Sequence, residues 1–292
     1  MTQRALACLL VALLLGAGSP AVGKDKEEGP VTLKCGDMTV VLAPEWAWNI
    51  KQLQYKDFSL LTDKVQMYSG AAVNIAGDEW AGSGFGDDKV GPQTLKIDRK
   101  RTPFKPGQTH TAKEEIIYGK RSKFGPYKLE MEIKIRSDEI EQTHEFKRSK
   151  SGRIEKLYAF MYPFSNEFNL FSAQAWGDPN DPNTKRFTGA FYGEDADLLK
   201  YNVKWFGIFC NERRTGVVCI YGAKHNIEEE GTVLLDKAEV REYHFRPKVM
   251  HEGRGEKLEF RLRMKLLKTK SVGAFTQAAA KLAGGHWDPQ IE

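Results

Sequence analysis

Between Lys128 and Arg136 the chain alternates without a break: Leu129, Met131, Ile133 and Ile135 fall on one side, Glu130, Glu132 and Lys134 on the other. The pattern returns where Leu258, Phe260, Leu262, Met264 and Leu266 oppose Glu259, Arg261, Arg263 and Lys265. Side chains of a strand point to opposite faces in turn, so each segment has one dry and one wet side. Antiparallel sheets read this way, whereas strands of parallel sheets are covered on both faces and apolar throughout.

Shorter strands are expected at Val31–Cys35, Met38–Leu42, Ile50–Tyr55, Glu114–Tyr118, Ile140–Phe146, Ile154–Tyr162, Trp205–Cys210, Gly216–Tyr221 and Val240–Phe245, with turn residues between many of them. Only Ser271 to Leu282 reads as a helix, favoured by Ala278, Ala279 and Ala280 and ended by Gly284-Gly285. Many strands and one short C-terminal helix predict an all-β fold, two packed sheets or a barrel. Gly70 to Gly91 and Gly177 to Asn183 read as long irregular stretches, where binding residues tend to lie.

The first residues suggest export. Arg4 precedes an apolar run from Ala5 to Leu15, and small residues follow at Ala21 and Gly23. This is the layout of a secretory signal peptide over residues 1–23, cut near Lys24, with 24–292 left as a single β-sandwich domain. An uncleaved anchor is the alternative, but the run is shorter than the about 20 residues of a membrane span. No later stretch reaches that length, so no span is expected in the mature chain, which would be periplasmic or extracellular. The formal charge is only +5 and no block of Lys and Arg stands out, so nucleic acid is not an expected partner.

Cys35, Cys210 and Cys219 remain after processing. If Gly216 supplies a positive φ and Arg213 to Gly216 form the loop, Cys210 faces Cys219, and the two could form a disulfide in an oxidising compartment. Two buried thiols are the alternative. No metal-site spacing and no cofactor motif occurs, so neither a metal nor a cofactor is expected.

Pro44-Glu45-Trp46-Ala47-Trp48-Asn49-Ile50-Lys51-Gln52-Leu53-Gln54-Tyr55-Lys56-Asp57 resembles an opening hairpin of the galactose mutarotase-like family, Pro-x-x-Gly-Gly-x-Ile-x-x-Leu-x-Tyr-Lys-Gly, with Ala47, Trp48 and Asp57 in place of the glycines. Trp80-Ala81-Gly82 is similar to that family's Trp-x-Gly segment, and Trp205-Phe206-Gly207-Ile208-Phe209 with Thr215-Gly216-Val217 to its central strand–turn–strand. The resemblance implies an antiparallel β-supersandwich with a concave face open to a sugar. The family's catalytic histidines do not carry over: Ser165-Asn166-Glu167-Phe168-Asn169-Leu170, where its Asn-His segment would fall, has none.

Two histidines are candidate acids or bases. His144 shares a strand face with Ile140, Gln142 and Phe146, while His244 shares one with Glu242 and Arg246. Arg246 could pair a sugar carboxylate while His244 moves a proton, the combination that lyase chemistry on uronic acids requires. Trp80 and Trp176 lie beside loops and could stack on sugar rings, and Asp87, Asp88 and Asp178 could grip hydroxyls. A buried strand histidine, a salt-bridged face and core tryptophans are the plainer readings. The expectation is an exported carbohydrate-binding protein, with a non-catalytic envelope scaffold or an acidic-polysaccharide lyase as alternatives. Convergence of Trp80, Trp176, His144 and His244 on one face would favour sugar chemistry.

Overall fold

The computed structural model describes residues 28–64, 69–75, 79–83, 88–149, 154–175, 186–201, 203–223, 232–246 and 257–284. Among these the strands form three sheets, of five, eleven and six strands. The pairings are antiparallel, as the alternation requires, except that Thr109–Ala112 runs parallel to Val31–Cys35 at the edge of the five-stranded sheet. One apolar core, with Leu33, Ile133, Phe164, Phe245 and Leu262 among its members, joins all three sheets, so they pack face to face as a sandwich.

The two alternating segments lie at the centre of the largest sheet. Tyr127–Arg136 pairs with Glu139–Arg148, which pairs with Lys257–Lys268. Leu129, Ile133, Ile140, Phe146, Leu258 and Leu262 turn inward and are buried, while the charged residues between them form the outer face. Val203–Cys210 and Thr215–Ala223 continue this sheet but are apolar on both sides. The helix Val272–Gly284 accounts for this: Phe275, Ala279 and Ala283 cover Trp205, Phe209, Val218 and Ile220 on the outer face.

Gly216 departs from expectation. It has no positive φ; the left-handed residue of this hairpin is Arg214, at φ 51°. What requires glycine here is close packing, against the helix and against the Ile208 carbonyl oxygen, which a Cβ would approach to 2.7 Å. A Cβ at Gly216 would stand 2.4 Å from the Phe275 ring and one at Gly207 would stand 2.6 Å from it, so the two glycines form a slot for that ring. The turn therefore begins two residues early, Cys210 pairs with Thr215, and Phe206 pairs with Cys219. The predicted disulfide is thereby corrected. Cys219 lies four residues beyond Cys210's partner, about 13 Å along the strand, too far to bridge, and both are buried free thiols.

The stretch Gly70–Gly91 is also more ordered than its composition suggests. It contains strands Gly70–Ile75 and Glu79–Gly82 in the six-stranded sheet and Lys89–Val90 in the largest. Small residues hid the first strand: Ala71 and Ala72 are poor strand formers, yet both are fully buried.

Candidate functional site

The six-stranded sheet places Val240–Phe245 beside Ile154–Ser165, that beside Gly70–Ile75, and Gly70–Ile75 beside Glu79–Gly82. Along Val240–Phe245 the burial alternates as expected, with Arg241, Tyr243 and Phe245 inward and Glu242 and His244 outward. The neighbouring strand does not alternate strictly. Its register with Gly70–Ile75 shifts between Tyr158 and Met161, the mark of a β-bulge. Phe160 and Tyr162 stay buried in the core, while Tyr158 turns out beside Met161 and His244.

The bulge brings three rings into a row on the outer face. Tyr158 stacks on His244 with centroids 5.0 Å apart, and Trp80 lies 5.1 Å from Tyr158, tilted by 57°. The Arg246 guanidinium sits 5.3 Å over the Tyr158 ring, and its Nη1 donates to the Tyr158 hydroxyl at 3.4 Å. Glu242 Oε2 lies 3.9 Å from His244 Nε2, and its other oxygen accepts from Lys237 at 2.9 Å. Trp80 is 40% exposed, against the near-complete burial of most large apolar residues. Burial, with the Arg246 and Lys237 charges, lowers the His244 pKa to about 4, so the imidazole is neutral at pH 7 and offers both a donor and an acceptor.

The second candidate histidine lies elsewhere. His144 is fully buried between the sheets, stacked on Phe160 at 4.5 Å. Its Nδ1 donates to the Ala159 carbonyl at 2.7 Å, within the bulge, and its Nε2 accepts from Gln142 at 2.7 Å. Gln142 in turn accepts from the Tyr162 hydroxyl. Burial pushes the His144 pKa down to about 3. His144 is therefore placed in the core, out of contact with solvent, and its proton bonds a carbonyl of the bulge that turns Tyr158 outward.

Trp80, His244 and Arg246 are thus brought together, while His144 is not. Asp88 lies near a different group, the buried Lys120, whose ammonium donates to Ala47 O at 2.6 Å, Asn49 Oδ1 at 2.7 Å and Ser83 Oγ at 2.8 Å. That network ties the largest sheet to the other two. Asp87, Trp176 and Asp178 fall outside the described residues. Tyr158 was missed because unbroken alternation puts it on the same face as Phe160 and Tyr162; nothing local announces the bulge.

The outer face of the largest sheet carries an open trough of about 570 Å³, lined by Arg121, Glu130, Glu132, Thr143, Glu145 and Arg261 among others. Its carboxylates are compensated: Arg121 holds Glu130 at 3.1 Å, Lys257 holds Glu145 at 2.6 Å and Arg261 holds Glu259 at 2.7 Å.

These features define an all-β, antiparallel sandwich with a ring-bearing outer face on one sheet and a charged trough on another. No family model and no curated protein matches the chain. Among solved structures it is similar to a putative aldose 1-epimerase from Escherichia coli K12, at 8% identity and a TM-score of 0.47 over 82% of this chain and 99% of that one. It is similar to the Slr1438 protein of Synechocystis sp. PCC 6803, at 9% identity and 0.48 over 89% and 100%. It is also similar to a galactose mutarotase-like protein from Lactobacillus casei, at 11% identity and 0.44 over 82% and 100%. At these scores the functional reading rests on the chain's own side chains.

Proposed function

We propose that this is an exported carbohydrate-binding protein of mutarotase-like fold, in which the Trp80–Tyr158–His244 row is the platform for a sugar. The observation that carries the reading is the row itself: an exposed indole continued by a stacked tyrosine and histidine, with Arg246 and Glu242 at its side. The C–H face of a pyranose packs on such rings, and its hydroxyls find a cation, a neutral imidazole and a carboxylate within reach. Export rests on the signal-like residues 1–23.

Titration of the mature protein with a glycan panel, followed by tryptophan fluorescence, tests the platform. Binding should weaken at least about tenfold in Trp80→Ala, the loss of about 1.4 kcal/mol of ring contact. Undiminished binding in that variant, or no binding to any glycan by folded protein, would refute the proposal.

The neutral His244 beside Arg246 also supports a second reading, cleavage of uronic acid polymers by β-elimination. His244 would take the C5 proton while Arg246 neutralises the carboxylate, and the C4–O bond would break to leave an unsaturated uronate. Ultraviolet absorbance from that product, lost in His244→Ala, is the expected result; none from a panel of uronate polymers would remove this reading.

A further inference from the structure

One row of the largest sheet runs against the usual pairing of charges. Lys123 pairs with Lys89 on one side and Lys128 on the other, Lys128 pairs with Lys147, and Lys147 pairs with Lys257. Five lysines on five adjacent strands therefore stand in one line across the strands, all exposed. Adjacent strands lie about 4.8 Å apart, so the line is about 19 Å long with one cation per strand. Like charges directly opposite each other destabilise a sheet. Among the described residues Lys257 has an ion pair, with Glu145 at 2.6 Å, and Lys89, Lys123, Lys128 and Lys147 have none.

We propose that this row is a docking rail for a single chain of an acidic polysaccharide laid across the strands, its carboxylates or sulfates meeting the lysines. The next row along the same strands argues for a narrow polyanion. It consists of Arg121, Glu130, Glu145 and Glu259, two residues or about 7 Å from the lysines, and it borders the trough. Its carboxylates are held by Arg121, Lys257 and Arg261, so the cations left to meet an anion form a line one residue wide, which suits a narrow chain rather than a duplex or a membrane. A single glycan chain also carries hydroxyls beside its charges, and these donate to carboxylates. The aromatic residues of these strands, Tyr118, Phe124, Tyr127, Phe146 and Phe260, are all buried in the core, so the rail offers nothing for bases to stack on. The surface lies on a different sheet from the Trp80 row and does not depend on it.

The test is affinity electrophoresis of the full chain at low salt in gels containing polygalacturonate, neutral dextran or oligothymidylate. The expected result is retardation by polygalacturonate that fades with added salt and exceeds that by oligothymidylate, with none by dextran. Lys123→Gln/Lys128→Gln/Lys147→Gln should weaken polygalacturonate binding about tenfold or more. The same variant should melt no lower than the wild type, because it relieves repulsion; this also confirms that it folds. Trp80→Ala separates the two surfaces. Four results would overturn the proposal: no retardation by polygalacturonate; equal retardation of the triple variant; oligothymidylate bound as tightly as polygalacturonate; or polygalacturonate binding lost in Trp80→Ala but kept in the lysine variant.

Discussion

Replacing His144 by leucine tests whether that histidine holds the bulge. The variant removes the donor to the Ala159 carbonyl and the acceptor of Gln142, at a site with no exposure to water. A buried polar group left without a partner costs about 1–3 kcal/mol, so the two together predict a loss of about 2–6 kcal/mol at pH 7.5. The pH dependence adds a second signature. The unfolded histidine titrates near 6.5, while burial holds the folded one at about 3. Between those values the unfolded state binds a proton that the native state does not, so this contribution is complete above pH 6.5 and is lost as pH falls toward 3. By pH 4 the wild type should have lost about 3 kcal/mol from this residue alone, a loss the leucine variant cannot show. His244, lowered to about 4, titrates in both proteins, and its own contribution is read separately from a His244→Ala variant. Urea unfolding at pH 7.5, 6, 5 and 4 measures the gap between the two, which should narrow steadily with acid. A gap that stays constant, or a variant as stable as the wild type at pH 7.5, would show that His144 is neither buried neutral nor bonded to the bulge.

Three further outcomes follow from the packing. Gly216→Ala places a methyl group 2.4 Å from the Phe275 ring and 2.7 Å from the Ile208 carbonyl oxygen and should cost about 1–3 kcal/mol in thermal unfolding, with only the ring's share of that cost relieved in a Phe275→Ala background. Asp236→Ala removes the carboxylate that accepts from Arg241 at 2.8 Å and from the Tyr192 and Gly193 amides at 2.6 and 3.1 Å; it should cost about 3–5 kcal/mol by urea unfolding, since Arg241 is left charged and buried. Cys35, Cys210 and Cys219 should react with a thiol reagent only after denaturation, and a reducing agent should leave the melting temperature unchanged; a drop on reduction would contradict three free thiols.

The central strands were legible because their two faces meet different surroundings, and alternation records that difference residue by residue. Tyr127–Arg136 and Lys257–Lys268 extend only one or two residues past the alternating segments that announced them. Legibility failed where one residue shifts the parity. Gly216 suggests a turn, but its role depends on Phe275, some sixty residues away, and the observed loop begins two residues earlier than that glycine implies. Tyr158 was invisible for the same reason: the bulge is held by a histidine on another strand. His144 and His244 look alike in the sequence, yet one shares its face with Ile140 and Phe146 and the other with Glu242 and Arg246. Both read as candidates from the sequence, and the packing of the sheets is what separates them: His144 is fully buried while His244 lies on the outer face. Trp80 and Arg246 came together through three-dimensional pairing that no local pattern encodes.

The helix Val272–Gly284 divides the outer face of the largest sheet into a sealed end and an open, charged end. The two ends answer to different stresses. Cooling weakens the contacts under the helix, because apolar burial loses strength at low temperature. Ionic strength leaves that end almost untouched but screens the exposed charges of the other. Hydrogen exchange should therefore find the first amides to open at the helix end in the cold, and at the Lys123–Lys128 hairpin when salt is varied. One continuous sheet would then loosen from either side, according to the solvent around it.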